Sequence, residues 1–314
     1  MSSDRPHIGL ALMLGFCLVA PMGDAVAKQL GQTVPIGQLL FFRFAIQALV
    51  LIPLVWATAR PWRMRGRVLG LTALRTLLHI FGIGLMVAAL QYLPLADAVA
   101  ICFVMPFLLL ALGRTLLGEE VGLRRILAAL VGFVGTLLVI QPSFAQVGWA
   151  ALLPLGVALN FAFFMLVTRA IAKQTDPIGL QAVSGVMAVA LIGPLLLTGA
   201  QLPGNALGLI APDGTEWGLL LSIGLLGTFA HLLMTWSLRF APAATLAPLP
   251  YLEIPVAALL GWLAFGDWPN AVSQVGILIT VAAGLYVALS EKASAARSGR
   301  SAPQPPLASA QPAE

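Results

Sequence analysis

Residues 27–37 read AKQLGQTVPIG and residues 172–179 read AKQTDPIG, so the phrases AKQ and PIG occur twice in the same order. The two AKQ phrases begin 145 positions apart. A second pair of matching dipeptides, Gly118-Glu119 and Gly266-Asp267, lies 148 positions apart. These repeated motifs fall at the ends of long apolar segments, a pattern that indicates the internal duplication of a membrane-spanning unit.

The composition predicts an all-α integral membrane protein. Of the 314 residues, 60% are hydrophobic and 9% are charged, whereas soluble domains carry roughly 25% charged residues. A chain with so few charges cannot cover its core with a water-facing surface. Mostly apolar segments of about 17–25 residues, which are long enough to cross roughly 30 Å of hydrocarbon, lie at 8–29, 35–57, 68–90, 95–116, 124–141, 149–168, 178–199, 217–238, 243–265 and 271–290.

These segments predict ten transmembrane helices in two five-helix repeats. We expect the first repeat at 8–141 and the second at 149–290, with a connecting loop at 142–148. Residues 1–7 form the amino-terminal end. Residues 291–314 are rich in Ala, Ser, Pro and Arg without apolar periodicity, which predicts a disordered tail.

The basic residues predict the orientation of the chain. The net charge is +5, but Lys and Arg are scattered between apolar segments, which argues against a nucleic-acid partner. With the amino terminus inside, 14 basic residues fall in inner loops and tails and only Lys28 falls in an outer loop. The positive-inside rule then predicts a multi-pass protein of a bacterial-type inner membrane with both termini in the cytoplasm. Since five helices is an odd number, the two repeats are predicted to be inverted.

Ionisable side chains inside the predicted spans need an explanation, because each costs roughly 2.5–3.5 kcal/mol at mid-membrane on insertion scales. One interpretation is that the charges neutralise one another inside the bundle, with Arg43 reaching the outer interface. The other is that they line a polar cavity, where Glu253 or a histidine carries a proton or balances the charge of a cargo. The residues concerned are Asp24, Arg43, Arg75, His79, His231 and Glu253.

Helix positions favour the cavity interpretation. Arg75 and His79 lie one turn apart on helix three and share a face, and His231 lies on the matching helix eight. Helix nine is rich in proline, and the carbonyl groups that proline frees need protein or a wet cavity around them. The residues predicted to bind substrate or line the cavity are Arg75, His79, Asn160, His231, Tyr251 and Glu253. Arg43 and Asp24 are predicted to set the electrostatic field near the cavity. Tyr92 and Trp236 are candidates for stacking on a ring of the substrate.

Three further carboxylates are predicted to act as helix caps or gates. Glu119 and Asp267 follow glycines at equivalent ends of helices four and nine, and Asp97 lies at the entrance of helix four. Exposed amides and the positive dipole end of a helix favour a carboxylate there, so capping is the expected role and gating the alternative.

The motifs of the chain resemble those of the drug/metabolite transporter superfamily, specifically its ten-helix EamA-type members. The likeness rests on the stretch 90–98 that leads into helix four, on Pro106, on the stretch 117–119 and on Gly132 and Gly135. Their second-half counterparts are the stretches 241–243 and 265–267, Pro255, Gly276 and Gly284. The resemblance implies alternating access to a central cavity between the two halves. Relatives carry amino acids, S-adenosylmethionine, riboflavin and nucleotide sugars, and the surroundings of Arg43, Arg75 and Glu253 look most like the S-adenosylmethionine and riboflavin carriers.

The sequence therefore predicts a secondary-active transporter of a small polar or zwitterionic metabolite, with coupling to a proton and exchange as the two candidate coupling modes. A channel-like pore is the first alternative. An intramembrane enzyme is the second, but the chain has no HExxH, GxSxG or GxGD motif and only three histidines in separate regions. We therefore expect no catalytic residue, no metal and no cofactor. The expected partners are the small-molecule cargo and the lipid bilayer, and the sequence sets no oligomeric state.

Overall fold

The computed structural model of the chain describes residues 6–105, 107–108, 123–171, 174–199, 206–240 and 249–300. Across these ranges the backbone is helical, with no strand. Short 3-10 turns lie at Gly148–Leu152 and Leu249–Leu252. The α-helices are α1 (Pro6–Leu30), α2 (Ile36–Ala57), α3 (Gly66–Leu90), α4 (Leu95–Cys102), α5 (Leu123–Val147), α6 (Leu153–Ile171), α7 (Pro177–Gly199), α8 (Gly214–Phe240), α9 (Glu253–Phe265) and α10 (Ala271–Arg300).

Six helical segments of the described chain are long and apolar enough to cross a membrane. Five of them coincide with α1, α2, α3, α7 and α8, and the sixth is the 43-residue stretch Ile126–Thr168. That stretch would extend for about 65 Å at 1.5 Å per residue, about twice the thickness of the hydrocarbon core. It is interrupted by the turn at Gly148, whose φ of 63° a residue with a Cβ rarely adopts.

The helices pack in a regular set of pairs. The most extensive contacts join α5 to α10, α1 to α8, α2 to α7 and α3 to α6, and smaller ones join α2 to α8, α1 to α9 and α4 to α9. The main apolar core lies where these pairs meet and includes Leu39, Leu90, Leu95, Ile101 and Ile254. Large apolar side chains such as Leu197, which is 75% exposed, point outwards. Apolar residues both inside and outside the bundle are expected where lipid replaces water as the solvent.

Side-chain caps start three of the helices. Asp176 accepts hydrogen bonds from the amides of Ile178 and Gly179 at the start of α7. At the start of α8, the Asp213 side chain accepts a hydrogen bond from the backbone amide of Glu216, and the Glu216 side chain accepts one from the backbone amide of Asp213, which is a capping box. Asn270 accepts from the amides of residues 272 and 273 at the start of α10. The cap of α10 is therefore Asn270 and not Asp267, which the sequence had suggested.

Two boundaries differ from the sequence prediction. Helix α5 continues to Val147 with Pro142 inside it, so most of the expected loop at 142–148 is helical. The buried Ser143 hydroxyl lies 3.1 Å from Asp97 Oδ2 and 3.2 Å from the Val139 carbonyl, and these contacts hold the last turns of α5 in place. Helix α10 continues to Arg300, so residues 291–300 of the expected tail are helical, and residues 301–314 lie outside the described part.

Candidate functional site

A cavity of about 210 Å3 lies within the bundle, lined by α1, α2, α3, α4, α6, α8 and the start of α9. Most of its wall is apolar, and four phenylalanines contribute to it, namely Phe16, Phe103, Phe161 and Phe164. Six polar or charged residues predicted from the sequence also line it, namely Asp24, Arg43, His79, Asn160, His231 and Glu253. The fold thus brings together polar residues from six helices of the chain.

Two helices have an end at the cavity wall. Helix α4 ends at Cys102 and turns at Phe103, and both residues line the cavity. Helix α9 begins at Glu253 directly after the 3-10 turn at Leu249–Leu252. Glu253 therefore stands in the first turn of a helix, where the dipole favours a carboxylate.

Two imidazoles meet across the cavity. His79 Nε2 and His231 Nε2 are 3.0 Å apart, and His231 Nδ1 lies 2.9 Å from the Gly227 carbonyl oxygen. A carbonyl only accepts, so in a neutral ring Nδ1 of His231 carries the proton and its Nε2 accepts from His79. His79 Nδ1 is then a bare acceptor, and it is buried without a hydrogen-bond partner. The histidine pair thus links α3 to α8 and keeps one vacant nitrogen.

Arg43 reaches the same place from α2. Its side chain is 5% exposed, and its Nη1 has no hydrogen-bond partner. Its Nη2 lies 3.5 Å from His231 Nδ1, but that nitrogen is itself the donor to the Gly227 carbonyl. The Phe44 ring, 5.3 Å from the guanidinium carbon, supplies a cation–π contact. Arg43 is therefore a buried cation with unused donors on the cavity wall.

Asp24 and Glu253 are not directly paired with the buried arginines. Within the described ranges the two ion pairs under 4.0 Å are Lys28–Asp267 at 2.5 Å and Arg60–Asp176 at 2.9 Å. Both lie at helix ends, away from the cavity. The interpretation in which the buried charges neutralise one another by direct contact therefore has no ion pair to support it in this part of the chain.

Arg75 lies behind the cavity wall and does not line it. It is 1% exposed and donates to Thr168 Oγ1 and Ser184 Oγ, each at 3.1 Å. Its guanidinium carbon lies 4.5 Å from the centre of the Phe164 ring, and Phe164 does line the cavity. Arg75 thus supports the wall by stacking under an aromatic side chain. Asn160, on the wall itself, donates to the Leu78 carbonyl at 2.8 Å.

The three aromatic candidates lie elsewhere. Tyr251 is buried against Phe103, with ring centroids 5.1 Å apart, and its hydroxyl has no partner. Tyr92 is 56% exposed after the end of α3. Trp236 packs against a separate apolar cluster around Leu51. Ring contacts in the cavity come instead from the four phenylalanines, which sequence reasoning missed because nothing in the pattern separates a cavity-facing Phe from a lipid-facing one.

The candidate caps make tertiary bonds instead. Asp97 is buried on α4, and its Oδ2 accepts from Ser143 at 3.1 Å and from Ser273 at 3.4 Å, so it ties α4 to α5 and α10. Asp267 pairs with Lys28, which also donates to the Leu93 carbonyl at 3.1 Å. Glu119 lies outside the described residues.

Comparison with known proteins places the chain in a family. The model of the EamA-like transporter family matches residues 7–141 and again residues 148–289. A riboflavin transporter of Rhizobium johnstonii is 31% identical over 234 residues, which are 74% of this chain and 72% of that protein. An S-adenosylmethionine uptake transporter of Rickettsia prowazekii is 24% identical over 293 residues, 91% of this chain and 94% of that protein.

A further relative and a solved structure agree with this placement. A riboflavin transporter of Vibrio cholerae is 29% identical over 276 residues, 85% of this chain and 87% of that protein. One crystal structure superposes with a TM-score of 0.62 at 18% identity, covering 94% of this chain and 99% of the other, which shows a shared fold. The family and these relatives point to a transporter of small metabolites and not to an enzyme. The protein is a multi-pass membrane protein that belongs to the EamA-like transporter family.

Proposed function

We propose that this protein is a secondary-active, alternating-access carrier of a small polar or zwitterionic metabolite across the inner membrane, with both termini in the cytoplasm. The observation that carries the proposal is the cavity, where Arg43 meets the carboxylates Asp24 and Glu253 without a direct ion pair. Unpaired charges at membrane depth are costly. Such charges are tolerated where a charged cargo, a proton or water compensates them.

Ten membrane crossings arranged as two inverted repeats belong to this proposal. The pattern of helix contacts supports it. If each helix of one repeat is replaced by the equivalent helix of the other, five places along, the pair α1–α8 becomes the pair α6–α3, which is also in contact. The pairs α2–α7, α4–α9 and α5–α10 each consist of two equivalent helices and are unchanged by this exchange. A bundle of two equivalent five-helix units related by a two-fold axis has this contact pattern, and such an axis in the membrane plane generates alternating access.

The site residues take the following roles in the proposal. His79, His231, Asn160 and Glu253 contact the cargo or its coupling proton, while Arg43 and Asp24 complete the charges of the cavity. Arg75 and Tyr251 act through the aromatic residues they contact, Phe164 and Phe103. A site formed between helix pairs can change shape when the two units rock against each other.

The names of the relatives supply two cargo candidates, S-adenosylmethionine and riboflavin, and the family resemblance adds amino acids. The phenylalanine-lined wall suits a ring, and the charges suit a zwitterion. The present volume of about 210 Å3 is below the roughly 300–1,000 Å3 of sites for drug-sized ligands. A cargo as large as S-adenosylmethionine therefore requires the helix pairs around the cavity to separate further, as an opening step of the transport cycle would allow.

Uptake by the purified protein in liposomes tests the proposal against a channel-like pore. We expect uptake of one radiolabelled candidate to saturate, and we expect unlabelled cargo inside the vesicles to accelerate entry of labelled cargo. A matched control is Leu197→Ala on the exposed surface, which should transport as the wild type does. Uptake that rises linearly with concentration, without counterflow, would identify a pore instead.

A further inference from the structure

The guanidinium of Arg43 packs directly against α8 at Gly227. A Cβ added at Gly227 would lie 2.7 Å from Cζ and Nη2 of Arg43 and 2.9 Å from its Nε. A side chain at this position would therefore displace the guanidinium from its present place. The Phe44 ring on the same helix as Arg43 packs against the guanidinium as well.

One end of the Arg43 guanidinium is left without an acceptor from the protein. Nη1 is buried and has no partner, and His231 Nδ1, which lies 3.5 Å from Nη2, donates its own hydrogen to the Gly227 carbonyl. Arginine keeps its charge under all physiological conditions. A buried charge without acceptors is expensive, so the arrangement favours an occupant that supplies acceptor oxygens. A carboxylate matches the planar fork of a guanidinium with two parallel hydrogen bonds.

The same cavity also contains groups of the opposite charge. Asp24 on α1 and Glu253 at the start of α9 line it, and neither lies within 4.0 Å of a basic group in the described ranges. The two cavity histidines can both remain neutral while hydrogen-bonded to each other. An occupant that carries both a carboxylate and a positive centre would supply acceptors to Arg43 and a cation to the two carboxylates.

Building on the proposed function, we infer that Arg43 anchors the carboxylate of a zwitterionic cargo, whose positive centre faces Asp24 and Glu253. Arg43 is then the residue that selects an amino-acid-like cargo. Riboflavin has neither a carboxylate nor a positive centre and would be bound weakly. The candidate that fits is S-adenosylmethionine, or a smaller amino acid such as methionine.

Binding to the detergent-solubilised protein tests this inference through a cycle of variants and probes. The probes are S-adenosylmethionine, its decarboxylated analogue, methionine and riboflavin, titrated by calorimetry. We expect Arg43→Gln to weaken the binding of S-adenosylmethionine by about 30-fold or more, because a buried charge loses its partner. The decarboxylated analogue, which carries only positive charge, should bind the variant at least as well as it binds the wild type. The matched control is Arg63→Gln on the exposed segment before α3, which should bind as the wild type does.

Gly227→Ala provides a second variant that keeps the charge but displaces the guanidinium. This variant should weaken the binding of S-adenosylmethionine and methionine without weakening the binding of the decarboxylated analogue. The inference therefore stays testable even where Arg43→Gln fails to fold. Equal losses for both analogues in either folded variant would overturn the inference. Wild-type binding of riboflavin without either zwitterion would also overturn it, while leaving the proposed carrier function in place. If no probe binds the wild type and the liposomes show no counterflow, both the inference about Arg43 and the proposed carrier function are wrong.

Discussion

The contact between α5 and α10 allows a quantitative prediction for Gly276→Ala. A Cβ on Gly276 would lie 2.6 Å from the Gly135 carbonyl oxygen, 2.8 Å from Val139 Cγ2 and 3.0 Å from Leu138 Cβ. The first distance is about 0.8 Å short of an ordinary contact. Because the closest atom is backbone, a side-chain rotation cannot relieve the clash, and the two helices must separate.

The expected cost follows from two opposing terms. Overpacking of this kind costs about 1–3 kcal/mol, and replacing a helical glycine with alanine returns up to about 1 kcal/mol. We therefore expect Gly276→Ala to lower stability by about 1–2 kcal/mol, and to lower the apparent midpoint of thermal unfolding in detergent by about 2–6 °C. Neither helix lines the cavity, so cargo affinity should not change.

The control is Gly218→Ala on α8, where an added Cβ meets nothing within 4 Å. This variant should be as stable as the wild type or slightly more stable. The Gly135→Ala/Gly276→Ala double variant should lose less than the sum of the single losses, since one separation of the helices relieves both clashes. If Gly276→Ala is as stable as Gly218→Ala, the backbones of α5 and α10 do not approach as closely as the structure indicates. Strictly additive losses of stability in the double variant would refute the same close approach.

Four further predictions concern the charged residues. Glu253→Gln should abolish the component of liposome uptake that an imposed pH gradient drives, because an amide carries no exchangeable charge, and unchanged uptake at every pH would remove Glu253 from coupling. Arg75→Met should raise the half-saturation concentration for cargo and lower the unfolding midpoint, since Phe164 loses its support; an unaltered saturation curve would reject the link to the cavity. Asp97→Ala should cost about 1–3 kcal/mol of stability, because two buried serine hydroxyls lose an acceptor, and a midpoint equal to that of the wild type would contradict the buried bonds. A double-mutant cycle of Lys28→Met and Asp267→Asn should give a coupling of up to about 1 kcal/mol that shrinks with salt, and zero coupling at low salt would argue against the pair.

The candidate site could be predicted from the sequence only as a set of residue types. Ionisable side chains in apolar segments are rare enough to be recognised, so Asp24, Arg43, His79, His231 and Glu253 could be named, and all of them line one cavity. Periodicity placed Arg75 and His79 on one face of α3, but one turn of helix separates a residue on the cavity wall from one behind it. Which of the two faces the cavity depends on α6, whose Phe164 stands between Arg75 and the open space.

The sequence by itself determined that this chain is helical, enters a membrane, contains a duplication and belongs with EamA-type transporters, because hydropathy, charge and repeated motifs are local or linear properties. Only the tertiary structure decided that Asp97 bridges three helices and that Gly227 makes room for the guanidinium of Arg43. Those outcomes depend on the rotation and spacing of separate helices of the chain. Close packing fixes both quantities through many weak contacts that no single stretch of sequence encodes.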